Sequence, residues 1–174
     1  GIRDLVRSPG LGDVYKRQVE DHDFIFPDDI RDGDALVAFS RRKVLMLATL
    51  LKKEGYKVSV IYGSLPYSVR KAEVARFLNG ESRIVVCTDA IGMGVNVPIR
   101  SIIFTESKKF DGKSKRFLNL SEVKQIAGRA GRKGMYDQGY VNSIEDRDQI
   151  GELLHGRYEQ ITSCVIQPPR KVLD

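Results

Sequence analysis

Gln125, Arg129 and Arg132 stand at i, i+4 and i+7, a spacing that on a helix puts an amide and two guanidinium groups in one stripe. A helix that only packs would fill that stripe with Leu or Val. An arginine fork matches phosphate oxygens in both shape and charge, so the stripe predicts an anion within reach. Gly128 and Gly131 lie beside these residues, and each gives up about 1 kcal/mol of helix propensity. They read as letting the backbone approach the same anion. The competing reading is a solvated basic helix face, which explains neither the glutamine nor the paired glycines.

A second set of polar residues follows apolar runs along the chain. Ser40, Gly63-Ser64 and Thr88 each come directly after a run suited to a buried strand. In an open α/β sheet that places all of them at the carboxyl edge, where ligands gather. Hydroxyls and close-approaching backbone N–H groups are the donors used for phosphodiester oxygens. Taken singly, Ser40 is a helix N-cap and Gly63-Ser64 a turn; their coincidence on one edge favours binding. After Thr88-Asp89 come Gly92, Gly94 and Asn96, with glycines that allow a backbone to approach a ligand or a neighbouring domain.

Lys108 to Arg116 predicts a basic hairpin turning tightly at Asp111-Gly112. Its flanks carry Lys108, Lys109, Lys113, Lys115 and Arg116, with Phe110 almost the only apolar residue among them. Gly112-Lys113-Ser114 resembles the end of a P-loop, but Ser107 occupies the position where the first glycine is required. Neither a Walker A sequence nor an Asp-Glu-x-Asp/His magnesium motif occurs in the sequence. The two cysteines, Cys87 and Cys164, and the two histidines, His22 and His155, have no metal-ligand spacing. No metal site is expected, and Cys87 reads as a buried structural thiol.

Charge is distributed unevenly. The chain carries a net +6, and residues 106–133 alone hold nine Lys or Arg against three acids. The remainder is close to neutral, so one basic sector faces a polyanion. No apolar run approaches the length of a membrane span, and no membrane partner is expected.

The elements that must hold these residues alternate. Ala35–Phe39, Lys57–Ile61, Arg83–Cys87, Ser101–Thr105 and Gly139–Val141 read as strands. A first helix buries Val44, Leu47, Ala48 and Leu51 and ends at Gly55. A second runs over Val69–Leu78 with Val74, Phe77 and Leu78 inward. A third is capped by Ser121, and a fourth spans Ile144 to about Leu154. The alternation predicts an α/β sandwich with a mainly parallel sheet.

Gln125-Ile126-Ala127-Gly128-Arg129-Ala130-Gly131-Arg132 resembles motif VI of superfamily 2 helicases. Thr88 to Pro98 resembles motif V, and Ala35 to Arg41 resembles motif IV, followed by Tyr62-Gly63-Ser64-Leu65-Pro66. From Val86 through Gly134 the chain is similar to the mitochondrial-degradosome RNA helicase family and its bacterial relatives. It shares Gly-Met-Gly-Val-Asn-Val-Pro, a Lys-Phe-Asp-Gly insert and Glu-Val-Lys-Gln-Ile-Ala-Gly-Arg-Ala-Gly-Arg. The resemblance implies a RecA-like three-layer sandwich, the second motor domain of an ATP-dependent RNA helicase with 3′→5′ polarity.

By the same resemblance Arg129 and Arg132 reach the γ-phosphate, and Gln125 orients the phosphate or the attacking water. Gly94 and Asn96 lie near the nucleotide, with Asp89 coupling the two sites. Ser40, Gly63, Ser64 and Thr88 contact the nucleic-acid backbone. Phe110, Lys113 and Lys115 belong to a strand-separating pin. The cofactors implied are ATP and Mg, held mainly by a first RecA-like domain that this sequence does not contain. The partners are RNA (DNA is the alternative), that first domain in the same polypeptide, and an exoribonuclease. The location is cytoplasmic for a bacterial protein and mitochondrial for a eukaryotic one.

The expected organisation is a non-native leader over 1–18, a linker over 19–33, the helicase domain over 34–160, and the start of a following segment over 161–174. Two other readings remain open. One is a stand-alone nucleic-acid-binding or regulatory module without ATPase; the other is the second motor domain of a DNA helicase or translocase.

Overall fold

The computed structural model describes residues 24–92, 96–131 and 138–155, and the backbone of 16–19. Among the described residues eight strands and four helices follow one another: β1 (Lys16–Val19), β2 (Asp34–Val37), α1 (Arg41–Lys53), β3 (Val58–Ile61), α2 (Tyr67–Leu78), β4 (Ile84–Cys87), β5 (Ser101–Phe104), β6 (Lys108–Phe110), β7 (Lys115–Phe117), α3 (Leu120–Ala127), β8 (Gln138–Ser143) and α4 (Arg147–His155). Six strands form one sheet in the order β1-β8-β5-β2-β4-β3, and all of its pairings are parallel. β6 and β7 make a separate antiparallel ribbon.

Strand alternation divides the core in two. Ala35, Val37, Val85, Cys87, Ile102 and Phe104 point to one face, where Phe77 of α2, Val123, Ile126 and Ala127 of α3, and Ile150 and Leu154 of α4 cover them. Leu36, Ala38, Ile84, Val86 and Ile103 point to the other, beneath Val44, Leu47, Ala48 and Leu51 of α1 and beside Phe24 and Ile30. The central strands are buried on both faces, so they read as continuous apolar runs. The result is the expected three-layer sandwich. At the centre Cys87 is fully buried, and its Sγ lies 3.5 Å from the Leu36 carbonyl. Burial, reinforced by Asp89, pushes its thiol well above the usual range.

α1 buries the four residues its periodicity predicts, and Gly55 ends it with φ +94°. α2 turns Phe77 inward with Val74 packed beside it, but Leu78 is 55% exposed. One residue past Phe77, Leu78 has rotated about 100° away from the buried face. The cap of α3 also differs from expectation. Asn119, not Ser121, accepts from the Glu122 N–H, and Glu122 returns a bond from the Asn119 N–H, closing a capping box.

The larger correction concerns motif VI. α3 stops at Ala127, Gly128 caps it, and Arg129 lies in the turn beyond. Gln125 and Arg129 therefore do not share a continuous helical stripe. Gly131 has φ +82°, and a Cβ there would sit 2.8 Å from the Gly139 nitrogen. Its glycine is required by a left-handed turn packed against β8.

β1 pairs with β8 from Lys16 opposite Gln138 to Val19 opposite Val141. The last three residues of the 1–18 segment thus lie in the sheet, while 1–15 and 156–174 fall outside the described residues.

Candidate functional site

The carboxyl ends of the sheet strands form one row. Ile61, Cys87, Val37, Phe104 and Ser143 are in register across β3, β4, β2, β5 and β8. The segments leaving this row carry most of the predicted contact residues. Ser40 is exposed and caps α1, accepting from the Lys43 N–H at 3.1 Å. Gly63 and Ser64 are exposed in the turn after β3. Arg70 holds that turn by its carbonyls, with Nη2 donating to Tyr62 and Gly63 at 3.2 and 2.8 Å. Thr88 is half-buried, and its Oγ1 accepts from the Ala90 N–H. Glu106 fixes the β2–α1 turn by accepting from the Phe39 N–H at 2.7 Å.

The short 3₁₀ turn Asp89–Gly92 follows. Asn96 is exposed; Gly94 and Arg132 lie outside the described residues. Arg129 is half-buried in the turn after α3, its N–H donating to the Ile126 carbonyl.

The structure brings Gln125 together with residues from three other segments. Phe39, Asp89, Lys109, Glu122, Gln125 and Ile126 line one small cleft. In it Lys109 Nζ lies 3.0 Å from Asp89 and 3.3 Å from Glu122. Arg116 makes a two-pronged pair with Glu122, at 2.8 and 2.9 Å. This pairing, with desolvation opposing it, holds the Glu122 carboxyl down at about 2. Burial lowers Lys109, but Asp89 and Glu122 outweigh it and raise the ammonium above its usual range.

The ribbon separates its residues by face. Lys109 and Arg116 are directly opposite each other and half-buried on the inner side. Lys108, Phe110, Lys115 and Phe117 are exposed on the outer side. Phe110 is 59% exposed and Phe117 43%, with Lys108 Nζ 4.6 Å from the Phe117 ring centre. The turn is longer than the two residues expected, since Phe110 pairs with Lys115 and four residues intervene. Asp111 organises it, accepting from the Lys113 and Ser114 N–H groups, while Gly112 takes φ +102°. Lys113 is exposed at its tip.

Glu122 and Phe117 escaped the sequence reading, and Lys109 and Arg116 entered it only as basic flanks of the hairpin. Period-2 alternation across Lys108–Phe110 and Lys115–Phe117 would have separated the two faces. Nothing local would have paired Lys109 with Asp89.

The donor set fits the phosphate end of a nucleotide better than its metal. The described residues include no group of three His, Cys, Asp or Glu placed to hold an ion. They do offer the exposed Gln125 amide, with Arg129 half-buried in the turn that follows the helix.

A parallel RecA-like sandwich with helicase motifs along its carboxyl edge defines a helicase motor domain. The helicase conserved C-terminal domain model matches residues 20–134, and the chain belongs to that family. It is 46% identical over 149 residues to the mitochondrial ATP-dependent RNA helicase SUV3 of Candida albicans, covering 82% of this chain and 21% of that protein. To the human mitochondrial ATP-dependent RNA helicase SUPV3L1 it is 34% identical over 174 residues, covering 92% of this chain and 22% of that protein. The chain thus spans about a fifth of the length of the curated relatives it matches. Among solved structures, the C-terminal domain of the DEAD-box protein Dbp5 shares the fold. Its TM-score is 0.57 at 18% identity, over 72% of this chain and 69% of that one.

Proposed function

We propose that this chain acts as the second motor domain of an ATP-dependent RNA helicase that uses ATP hydrolysis to unwind RNA. The observation that carries this reading is the shared cleft. Gln125 of the motif VI helix lies there beside Asp89 of motif V and Lys109 of the basic ribbon. Elements suited to a nucleotide and elements suited to nucleic acid meet at one site.

In this reading a first RecA-like domain holds Mg·ATP, and nucleotide binding draws the two domains together. Arg129 and Arg132 then donate to the charge that spreads over the transferring phosphoryl group, a contribution of about 10³–10⁵ in rate for an arginine finger. Gln125 orients the attacking water or the phosphate, and Gly94 and Asn96 lie near the nucleotide. Ser40, Gly63, Ser64 and Thr88 grip the RNA backbone with hydroxyls and N–H groups. The outer ribbon face adds Lys113 and Lys115 for phosphates and Phe110 and Phe117 for bases. The relatives' names favour a mitochondrial location and RNA as substrate.

Steady-state ATPase assays test the assignment. The chain alone is expected to show no RNA-stimulated turnover. In the full-length helicase, Arg129→Ala and Arg132→Ala should each lower kcat by about 10³-fold with little change in Tm. Turnover by the isolated chain, or near-wild-type kcat in both variants, would overturn the reading.

A further inference from the structure

The ribbon's inner face touches Asp89 of motif V and Glu122 on the helix that leads into motif VI. We propose that Lys109, Arg116, Asp89 and Glu122 form an ion-pair relay through which phosphate arriving on the ribbon resets the start of α3. This rests on the reading of the outer ribbon face as an RNA surface.

Glu122 is the hub. Its Oε1 accepts from Arg116 Nη1 at 2.8 Å and from the Asn119 N–H at 3.0 Å. Its Oε2 accepts from Arg116 Nη2 at 2.9 Å and pairs with Lys109 Nζ at 3.3 Å. One carboxylate thus closes the capping box of α3 and anchors both inner cations of the ribbon. Three residues further along the helix stands Gln125, in the same cleft. Lys109 extends the connection to Asp89, in the turn after β4.

Charge makes this arrangement responsive. Two cations face two carboxylates, with Asp111 more distant at 3.9 Å from Arg116. Phosphodiester groups on Lys113 or Lys115 bring new negative charge to the same ribbon and compete for Lys109 and Arg116. As their hold on Glu122 weakens, the first turn of α3 loses part of its cap, and the helix carrying Gln125 shifts its opening equilibrium. Coupling is reciprocal, so whatever fixes α3 from the nucleotide side also alters how tightly the ribbon holds RNA. Glu122 and Lys109 act here as positioning residues, through the helix and the ribbon.

Hydrogen–deuterium exchange on this chain, with and without a short single-stranded oligouridylate, tests the relay. In the wild type, RNA should slow exchange across the ribbon, 108–117, and change exchange in 120–127 by about fivefold or more. Glu122→Gln, which keeps an oxygen for the Asn119 N–H, should retain ribbon protection and lose the response in α3. Lys109→Met should behave likewise, with Lys109→Arg restoring the response, and it serves alone if Glu122→Gln fails to fold. Ribbon protection without any α3 response in the wild type would overturn the relay and leave the RNA surface standing. An α3 response that persists in both Glu122→Gln and Lys109→Met would also overturn it. Absence of ribbon protection would sink the RNA surface itself, and the relay with it.

Discussion

Glu122 in the first turn of α3 and Gly131 in the segment beyond its end set opposite kinds of constraint. At Gly131 the backbone is left-handed and a Cβ would press on Gly139. Gly131→Ala should therefore cost about 2–3 kcal/mol and lower Tm by roughly 5–10 °C in a calorimetric melt. Glu122 contributes through ionisation. Its folded carboxyl sits at about 2, below its usual 4.5, so the unfolded chain binds its proton first as pH falls. The stabilisation is complete above about pH 5 and drains away between there and pH 2. It is worth on the order of 2 kcal/mol. Urea midpoints measured across that window should decline in the wild type and flatten in Glu122→Gln. The sequence showed both glycines of motif VI, yet the reason for Gly131 lies in a β8 residue eight positions away. The i, i+4, i+7 stripe required a helix longer than the one formed.

At the scale of elements, the ribbon's outer face is where binding should be lost. Lys113→Glu with Lys115→Glu should weaken single-stranded RNA binding and reduce the salt slope by about 1.4, for two phosphate contacts at roughly 0.7 each. Fluorescence anisotropy over a salt series measures both; an unchanged slope would make the ribbon a bystander. Phe110→Ala should cost about 1–3 kcal/mol of stacking and impair unwinding more than binding. The ribbon was legible because Asp111-Gly112 and its lysines are local features. Its four-residue turn was not, since Asp111 caps the Lys113 and Ser114 N–H groups in a way that composition does not reveal. Alternation separates Lys109 and Arg116 from their neighbours, but which face turns inward depends on where the ribbon docks. No turn motif encodes that.

Over the whole molecule, regular alternation made the parallel sandwich readable, because strands buried on both faces leave continuous apolar runs. The strand order was not readable: β8 enters between β1 and β5 through contacts far apart in sequence. That sheet also gives the chain an internal reporter. Cys87 lies fully buried on β4, with its thiol pushed away from the reactive thiolate, and thiolate is the form that reacts. Alkylation must then wait for β4 to part from its neighbours. With Cys164→Ser removing the second thiol, the rate of Cys87 labelling becomes a clock for that excursion, and its dependence on denaturant separates local breathing from global unfolding. A ligand that tightens the carboxyl edge would slow the clock without touching the sulfur.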